Sequence, residues 1–413
     1  MKTDHTPMRL GVTLPAPALG HHAAAWRHPG VRPERALSFD HYRALTQTAE
    51  RGMLDFVLLA DAPGTDPAND DVPEAPHRTV GGLEPLSLLS ALAVHTRHIG
   101  LVASASTTCN EPFPLARTLA SLDFISGGRS GWHVTVPLTD AEARNLGMDR
   151  PPGKAIGYHR ADEFLKVATR LWDSWEDEAF LYDQLTGRYF DPAKSHAPAH
   201  SGDHFQVRGP LSIARPPQGH PVLVHSPGPS DDARDLAAGW ADVILTGRPA
   251  AAPPSAEIGA LRARLAEHGR DPDGIRIMPT VFLVTGRTRA EAEDTYSALQ
   301  NLLPTGGRPE APGAGPGSAF LLGSAQEVAD VLEEWFVDGG ADGFVFLPSH
   351  LPDGLGALVD HVVPLLRRRG LIRTRYTGYS LRDHLGLSRP AGRPEADPSR
   401  FSSASPRAFE PVL

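Results

Sequence analysis

The chain has 413 residues, a formal net charge of −9 and one cysteine, Cys109. At 40% hydrophobic it can bury a large core unaided, and its single thiol excludes an internal disulfide or a cysteine-built zinc or iron–sulfur cage. The acidic charge is dispersed and the one tight basic run, Arg367 to Arg369, sits near a helix end where cations complement the helix dipole, so no nucleic-acid partner is expected.

The N-terminus, MKTDHTPMRLGVTLPA, lacks the apolar run of a signal peptide, and no run of about eighteen apolar residues occurs anywhere, so the expectation is a protein of the reducing cytoplasm with no membrane partner. Short Val-, Ile- and Leu-rich runs then alternate with longer stretches of helical spacing, the rhythm of a parallel sheet wrapped by helices. Eight strands are predicted, at Arg9–Leu14, Phe56–Ala60, Ile99–Ser104, Gly131–Val136, Val222–His225, Val243–Thr246, Ile275–Val284 and Gly343–Leu347. Helical patterns between them, beginning with Phe39–Arg51, make the expected architecture an α/β TIM (β/α)8 barrel with insertions. Ser38 and Asp40 are capping signals at the start of the first helix, and Gly239 and Gly370 are placed where helices end in left-handed backbone. Thr186–His220 reads as a hairpin-bearing insertion and Pro304–Gly317 as a Pro/Gly-rich loop. Residues 1–387 thus form one barrel domain, and the Pro-rich 388–413 an arm or disordered tail.

Reactive groups of such a barrel project from the C-terminal ends of its strands. This selects His21, His22 and His28 in GHHAAAWRHPG, Asp61 closing LLAD, the hydroxyl-rich turn Ser104–Pro112, and Trp132 and His133 in GGRSGWHVTV. The histidines show neither Glu-x-x-His nor His-x-His spacing, so no metal site is predicted, although they can equally serve to brace loop carbonyls. The segment HSPGPSDDAR, His225 to Arg234, is a Gly- and hydroxyl-bearing loop entering a helix N-terminus, which suits an anion such as phosphate and also suits a plain turn capped by Ser230.

The strings GHHAAAWRHPG, FDHYRALTQTAERGMLDFVLLAD, EPLSLLSALAVHTRHIGLVASASTTCNEPFPLARTLASLDFISGGRSGW and YHRADEFLKVATRLWDSWEDEAF resemble the nitrilotriacetate and dibenzothiophene-sulfone monooxygenase branch of the bacterial-luciferase-like superfamily, as do GSAQEVADVLEEWF and ADGFVFLPSHLPDGL further on. The resemblance implies a dimeric barrel that takes reduced FMN from a separate NAD(P)H-dependent flavin reductase and uses oxygen, through a peroxyflavin, to oxygenate a small organic substrate. Position by position it implies flavin contacts from Asp61, Ser106, Thr107 and Thr108, a phosphate ligand at Tyr158, a phosphate loop at Gly228 and Ser230, and a catalytic role beside the flavin for His21.

The chain also departs from that branch. Relatives carry Gln-Ala-Gly before the phosphate-loop serine where this chain has Ser226, Pro227 and Gly228, and Asn after the fourth-strand Trp where it has His133, here a candidate flavin-ring contact. A long excursion over the active-site mouth is reduced to Pro304–Gly317, which implies a more open mouth. Two alternatives stay open: a deazaflavin-dependent oxidoreductase and a non-catalytic luciferase-like partner subunit.

Overall fold

The computed structural model describes residues 7–61, 81–136, 139–247, 255–303 and 318–392. Its strands, in chain order, are β1 (Arg9–Leu14), β2 (Phe56–Leu59), β3 (Gly100–Ser106), β4 (Ser130–Thr135), β5 (Phe180–Asp183), β6 (Arg188–Phe190), β7 (His200–Ser201), β8 (Gln206–Val207), β9 (Val222–His225), β10 (Val243–Thr246), β11 (Arg276–Gly286), β12 (Ala319–Ser324) and β13 (Gly343–Pro348). Eight of them pair in parallel in the order β10-β9-β4-β3-β2-β1-β13-β11, and β10 pairs with β11 to close the ring. These are the eight strands expected, each within two residues of its predicted limits. Both faces of each strand are buried, one in the barrel and one under helices, which is why the strands read as continuous apolar runs.

The helices are α1 (Phe39–Arg51), α2 (Pro85–Ala93), α3 (Pro112–Ser126), α4 (Asp140–Asn145), α5 (Lys154–Trp172), α6 (Asp231–Trp240), α7 (Ser255–Glu267), α8 (Arg289–Asn301), α9 (Ala325–Val337), α10 (Asp353–Ala357), α11 (Val363–Arg368) and α12 (Leu381–Leu385). A π-helical stretch, Leu358–Val362, joins α10 to α11 into one continuous helical segment. Pro364, lacking an N–H, follows this wide turn. Among the described residues no helix is long and apolar enough to cross a membrane.

Inside the barrel Phe56, Leu58, Val102, Val222, Val224, Met278 and Val345 pack with Leu381, Leu385 and Leu387, so α12 plugs the end where the strands begin. Gly11 is required there, because a Cβ would lie 2.5 Å from the Phe56 ring. Buried ion pairs tie the same end together: Asp55 with Arg373, and Asp242 with Arg382 at 2.8 Å. Asp55 also accepts the Leu10 N–H at 2.7 Å, and Asp242 the Leu223 N–H at 2.9 Å, so each carboxylate pins a strand start as well as a cation.

Three features differ from the sequence reading. Gly239 lies within α6 and has no left-handed backbone, because the helix runs on to Trp240, whose indole N–H reaches Asp162 at 2.7 Å, and the turn into β10 is made by extended Ala241. Gly370 does adopt φ 71°. The insertion begins earlier than Thr186, since β5 pairs antiparallel with β6, while β7 and β8 form a second hairpin within the predicted insertion. Finally, β12 is a ninth strand, parallel to the C-terminal half of β11 and outside the ring. Pro304–Gly317 lies outside the described residues. Of the predicted tail, Ser388 to Gly392 lie on the barrel, with Arg389 paired to Asp177 and the Pro390 carbonyl accepting from Arg215 at 2.8 Å; the rest lies outside the described residues.

Candidate active site

The C-terminal strand ends form the barrel mouth, and the loop after β1 is built into it. Gly20 has φ 130°, and a Cβ there would sit 2.4 Å from the His350 Cα, so only glycine lets this loop lie against the end of β13. The next two amides then donate to the Pro348 and Ser349 carbonyls, each at 3.0 Å. His21 Nε2 donates to the Thr13 carbonyl at 2.9 Å, which fixes the neutral tautomer and leaves Nδ1 as a lone-pair acceptor with no hydrogen-bond partner among the described residues. Burial pushes His21 down to about 4.

Behind it lie three more imidazoles. His22 accepts the Ala24 N–H through Nδ1 at 3.1 Å, and the His28 and His350 rings meet at 4.5 Å. Burial holds His22 at about 4; His350 is likewise at about 4 through burial, to which the neighbouring His28 adds. The histidines of the first loop therefore divide between bracing and display. His22 engages both ring nitrogens, with the Ala24 N–H and with Gln300, and His28 spends Nδ1 on the Gly30 N–H, whereas His21 spends Nε2 on the Thr13 carbonyl and keeps Nδ1 open.

The hydroxyl-rich turn after β3 is braced rather than displayed. Ser106 Oγ accepts the Thr108 and Cys109 N–H groups at 3.0 and 3.3 Å. Thr107 is fully buried, with its amide and hydroxyl both directed at the Thr135 carbonyl, and Thr108 donates its hydroxyl to Val136 at 2.9 Å. Arg160 of α5 clamps the turn through the Thr107 and Asn110 carbonyls and stacks 4.5 Å over Phe205. Asp61 is exposed at the end of β2. Burial pushes the Cys109 thiol up against the effect of its Ser106 hydrogen bond, and the Glu142 and Asp61 carboxylates push the same way as burial.

Next to β3 in the ring, β4 and β9 carry His133 and His225. His133 lies in register with Ser104 of β3; its Nδ1 is 2.9 Å from Ser104 Oγ and its Nε2 is 3.0 Å from Ser226 Oγ. Burial, with His225 adding, pushes His133 down to about 3. His225 Nδ1 donates to the Val134 carbonyl at 2.8 Å. Beyond them Tyr158 of α5 meets the Ser230 hydroxyl at the start of α6. Burial raises the Tyr158 phenol against the lowering effect of that contact. Ser230 also caps α6 by accepting the Ala233 N–H, and a Cβ at Gly228 would meet nothing within 4 Å.

The predicted residues therefore fall into separate groups: His21 with β13, Ser106 and Thr107 near Asp61 and Cys109, His133 with β3 and β9, and Tyr158 with Ser230 beside Gly228. Arg160 and His350 were not singled out from the sequence, and Ser104 entered only as the first residue of the hydroxyl-rich turn, without its pairing to His133. Ser104 ends an apolar run and Arg160 sits in a helix, so neither stands out until strand register and helix packing are known. Among the described residues no three His, Cys, Asp or Glu side chains gather as a metal-ligand set.

A barrel whose mouth is lined by neutral imidazoles and hydroxyls is the setting in which the chain's relatives can be read. A family profile described as luciferase-like monooxygenase matches residues 8–343, and the chain belongs to that family. It is 38% identical to nitrilotriacetate monooxygenase component A of Aminobacter aminovorans, over 90% of this chain and 95% of that protein. It is 32% identical to dibenzothiophene-sulfone monooxygenase of Rhodococcus erythropolis (strain XP), over 94% and 98%. A crystal structure of riboflavin lyase with modified FMN and riboflavin superposes with a TM-score of 0.83 at 27% identity, covering 92% of this chain and 96% of that one. These likenesses favour the monooxygenase reading over the deazaflavin and non-catalytic alternatives.

Proposed function

We propose that the protein is the oxygenase of a two-component, flavin-dependent monooxygenase. It receives reduced FMN from a separate NAD(P)H-dependent flavin reductase and, with O2, oxygenates a small organic substrate, acting as a homodimer in the cytoplasm. The observation that carries this reading is end-to-end likeness to monooxygenases in a chain whose mouth keeps its buried histidines neutral. One relative is itself named as component A, which supports a second component.

The residues present fit the cofactor. Tyr158, Ser230 and the open backbone at Gly228 offer hydroxyl and N–H groups at the start of a ten-residue helix, the arrangement a phosphate needs. Two carboxylates, Asp231 and Asp232, oppose an anion there; Asp231 is drawn off by Arg264 at 3.0 Å, and Arg234 restores a cation beside the turn. His133 and the turn of Ser106 and Thr107, with Asp61 nearby, would flank the ring system. The flavin, when bound, supplies the activation of oxygen.

The protein's own residues bind, orient and manage protons. His21, neutral at pH 7 and with its Nε2 proton committed to Thr13, offers Nδ1 as an acceptor, so its role is to take a proton or hold a hydroxyl group. The packed floor and the loop tied to β13 exclude water from below and from one side.

An anaerobic titration with reduced FMN, followed by oxygen, tests the reading. Saturable binding and a return of oxidised-flavin absorbance much slower than for free reduced FMN are expected, with no NADH or NADPH consumption unless a reductase is added. Absence of binding at tens of micromolar, an affinity weaker than about −6 kcal/mol, would defeat it.

A further inference from the structure

We infer that Ser104, through His133, orients the Ser226 hydroxyl as a hydrogen-bond donor into the mouth, where it meets an acceptor atom of the bound flavin ring; the ligand half of this inference rests on the reading above. Three side chains from three neighbouring strands or their ends form the chain. Ser104 Oγ and His133 Nδ1 are 2.9 Å apart, and His133 Nε2 and Ser226 Oγ are 3.0 Å apart. Ser104 is buried at one end and Ser226 exposed at the other.

Proton accounting gives the direction. The ring is kept neutral by burial and by His225, so it carries one N–H, and each serine carries one O–H. With the proton on Nε2, Ser104 donates to Nδ1, Nε2–H donates to Ser226, and the Ser226 O–H is left pointing outward. With the proton on Nδ1, Ser104 must accept it, and its own O–H then needs another acceptor. Among the described residues Ser104 has no partner besides His133, so this second arrangement strands a buried donor. The first leaves its spare donor at the exposed end, where a ligand can take it.

The buried end also limits the function. Ser104 has nothing to draw a proton from, so the three groups do not pass a proton to or from the mouth. They set polarity. His133 and Ser104 are positioning residues, and Ser226 presents a donor to a bound group that can accept a hydrogen bond, as the flavin's ring carbonyl oxygens can.

Two measurements on the full chain test this. Long-range 15N–1H correlation spectra of histidine-labelled protein, with the His133 signals identified by their loss in His133→Asn, should show the Nε2–H tautomer in the wild type. Ser104→Ala should shift His133 toward a mixture of tautomers. A wild-type Nδ1–H tautomer, or a tautomer unmoved in Ser104→Ala, overturns the orientation. In the second measurement, Ser226→Ala should weaken FMN binding about five- to tenfold, the size of one neutral hydrogen bond, and Ser226→Thr should restore it. Equal affinity in Ser226→Ala overturns the flavin contact. A wild type that binds no FMN defeats the cofactor reading and the contact together, while the tautomer remains a separate result.

Discussion

The two ends of the barrel handle polarity in opposite ways. Where the strands begin, charged side chains are buried, among them Asp55 paired with Arg373, Asp242 paired with Arg382, and Arg129 donating to Thr96 and the Ala93, Ile99 and Ser126 carbonyls. Where they end, the buried polar groups on the strands and their loops are mainly hydroxyls and imidazoles, including Ser104, Thr107, His225 and His350. Breaking a buried ion pair strands a charge, so the floor resists change. Neutral groups can exchange partners at little cost, so the mouth can accept a ligand and release it.

The contrast can be broken at either end. The largest effect belongs to the floor: Asp242→Ala leaves Arg382 buried without its carboxylate and frees the Leu223 N–H, and should lower unfolding free energy by about 3–5 kcal/mol in urea titrations. At the mouth, His21→Ala should cut product formation on the order of 10²-fold or more while FMN affinity changes little; equal product yield would remove His21 from the chemistry.

Acid should sharpen the difference. The buried His350 is pushed from its ordinary 6.5 to about 4, so between those values the unfolded chain binds the extra proton. Its contribution is present above pH 6.5 and is lost as pH falls through 4, on the order of 3 kcal/mol. His350→Gln should therefore flatten the stability profile between pH 6.5 and 4, and an unchanged slope would refute the assignment. Tyr158→Phe keeps the ring and removes one hydroxyl beside Ser230, and should weaken FMN about fivefold in equilibrium titrations with little loss of stability. The smallest effect is expected at Gly228→Ala, within about 0.5 kcal/mol in thermal unfolding, because the added methyl meets no atom within 4 Å.

The barrel was legible because its strands are buried on both faces and so appear as uninterrupted apolar runs such as RLGVTL and VILT. β12 was not, since AFLLGS follows a Pro/Gly-rich segment and pairs with only half of β11. Of the candidate site, His21 and the loop holding Ser230 were selected by their place after strands, whereas Tyr158, inside a helix, was reached only through the family resemblance. What position cannot give is which way a hydroxyl is spent. Thr107 and Ser106 stand at a strand end as a ligand would, yet both are engaged in holding their own turn. Ser104 became visible only once the register of β3 on β4 set it opposite His133.

The plug made by α12 has a consequence for biosynthesis. The floor is sealed by Leu381, Leu385 and Leu387, almost four hundred residues into a chain whose first strand begins at Arg9. A ribosome therefore releases all eight staves well before their stopper, and until then Phe56, Val102 and Val222 face water from below. A chain cut just before Ser380 would keep every strand and helix that lines the pocket and still expose a greasy bore, inviting chaperones and neighbouring chains to that opening.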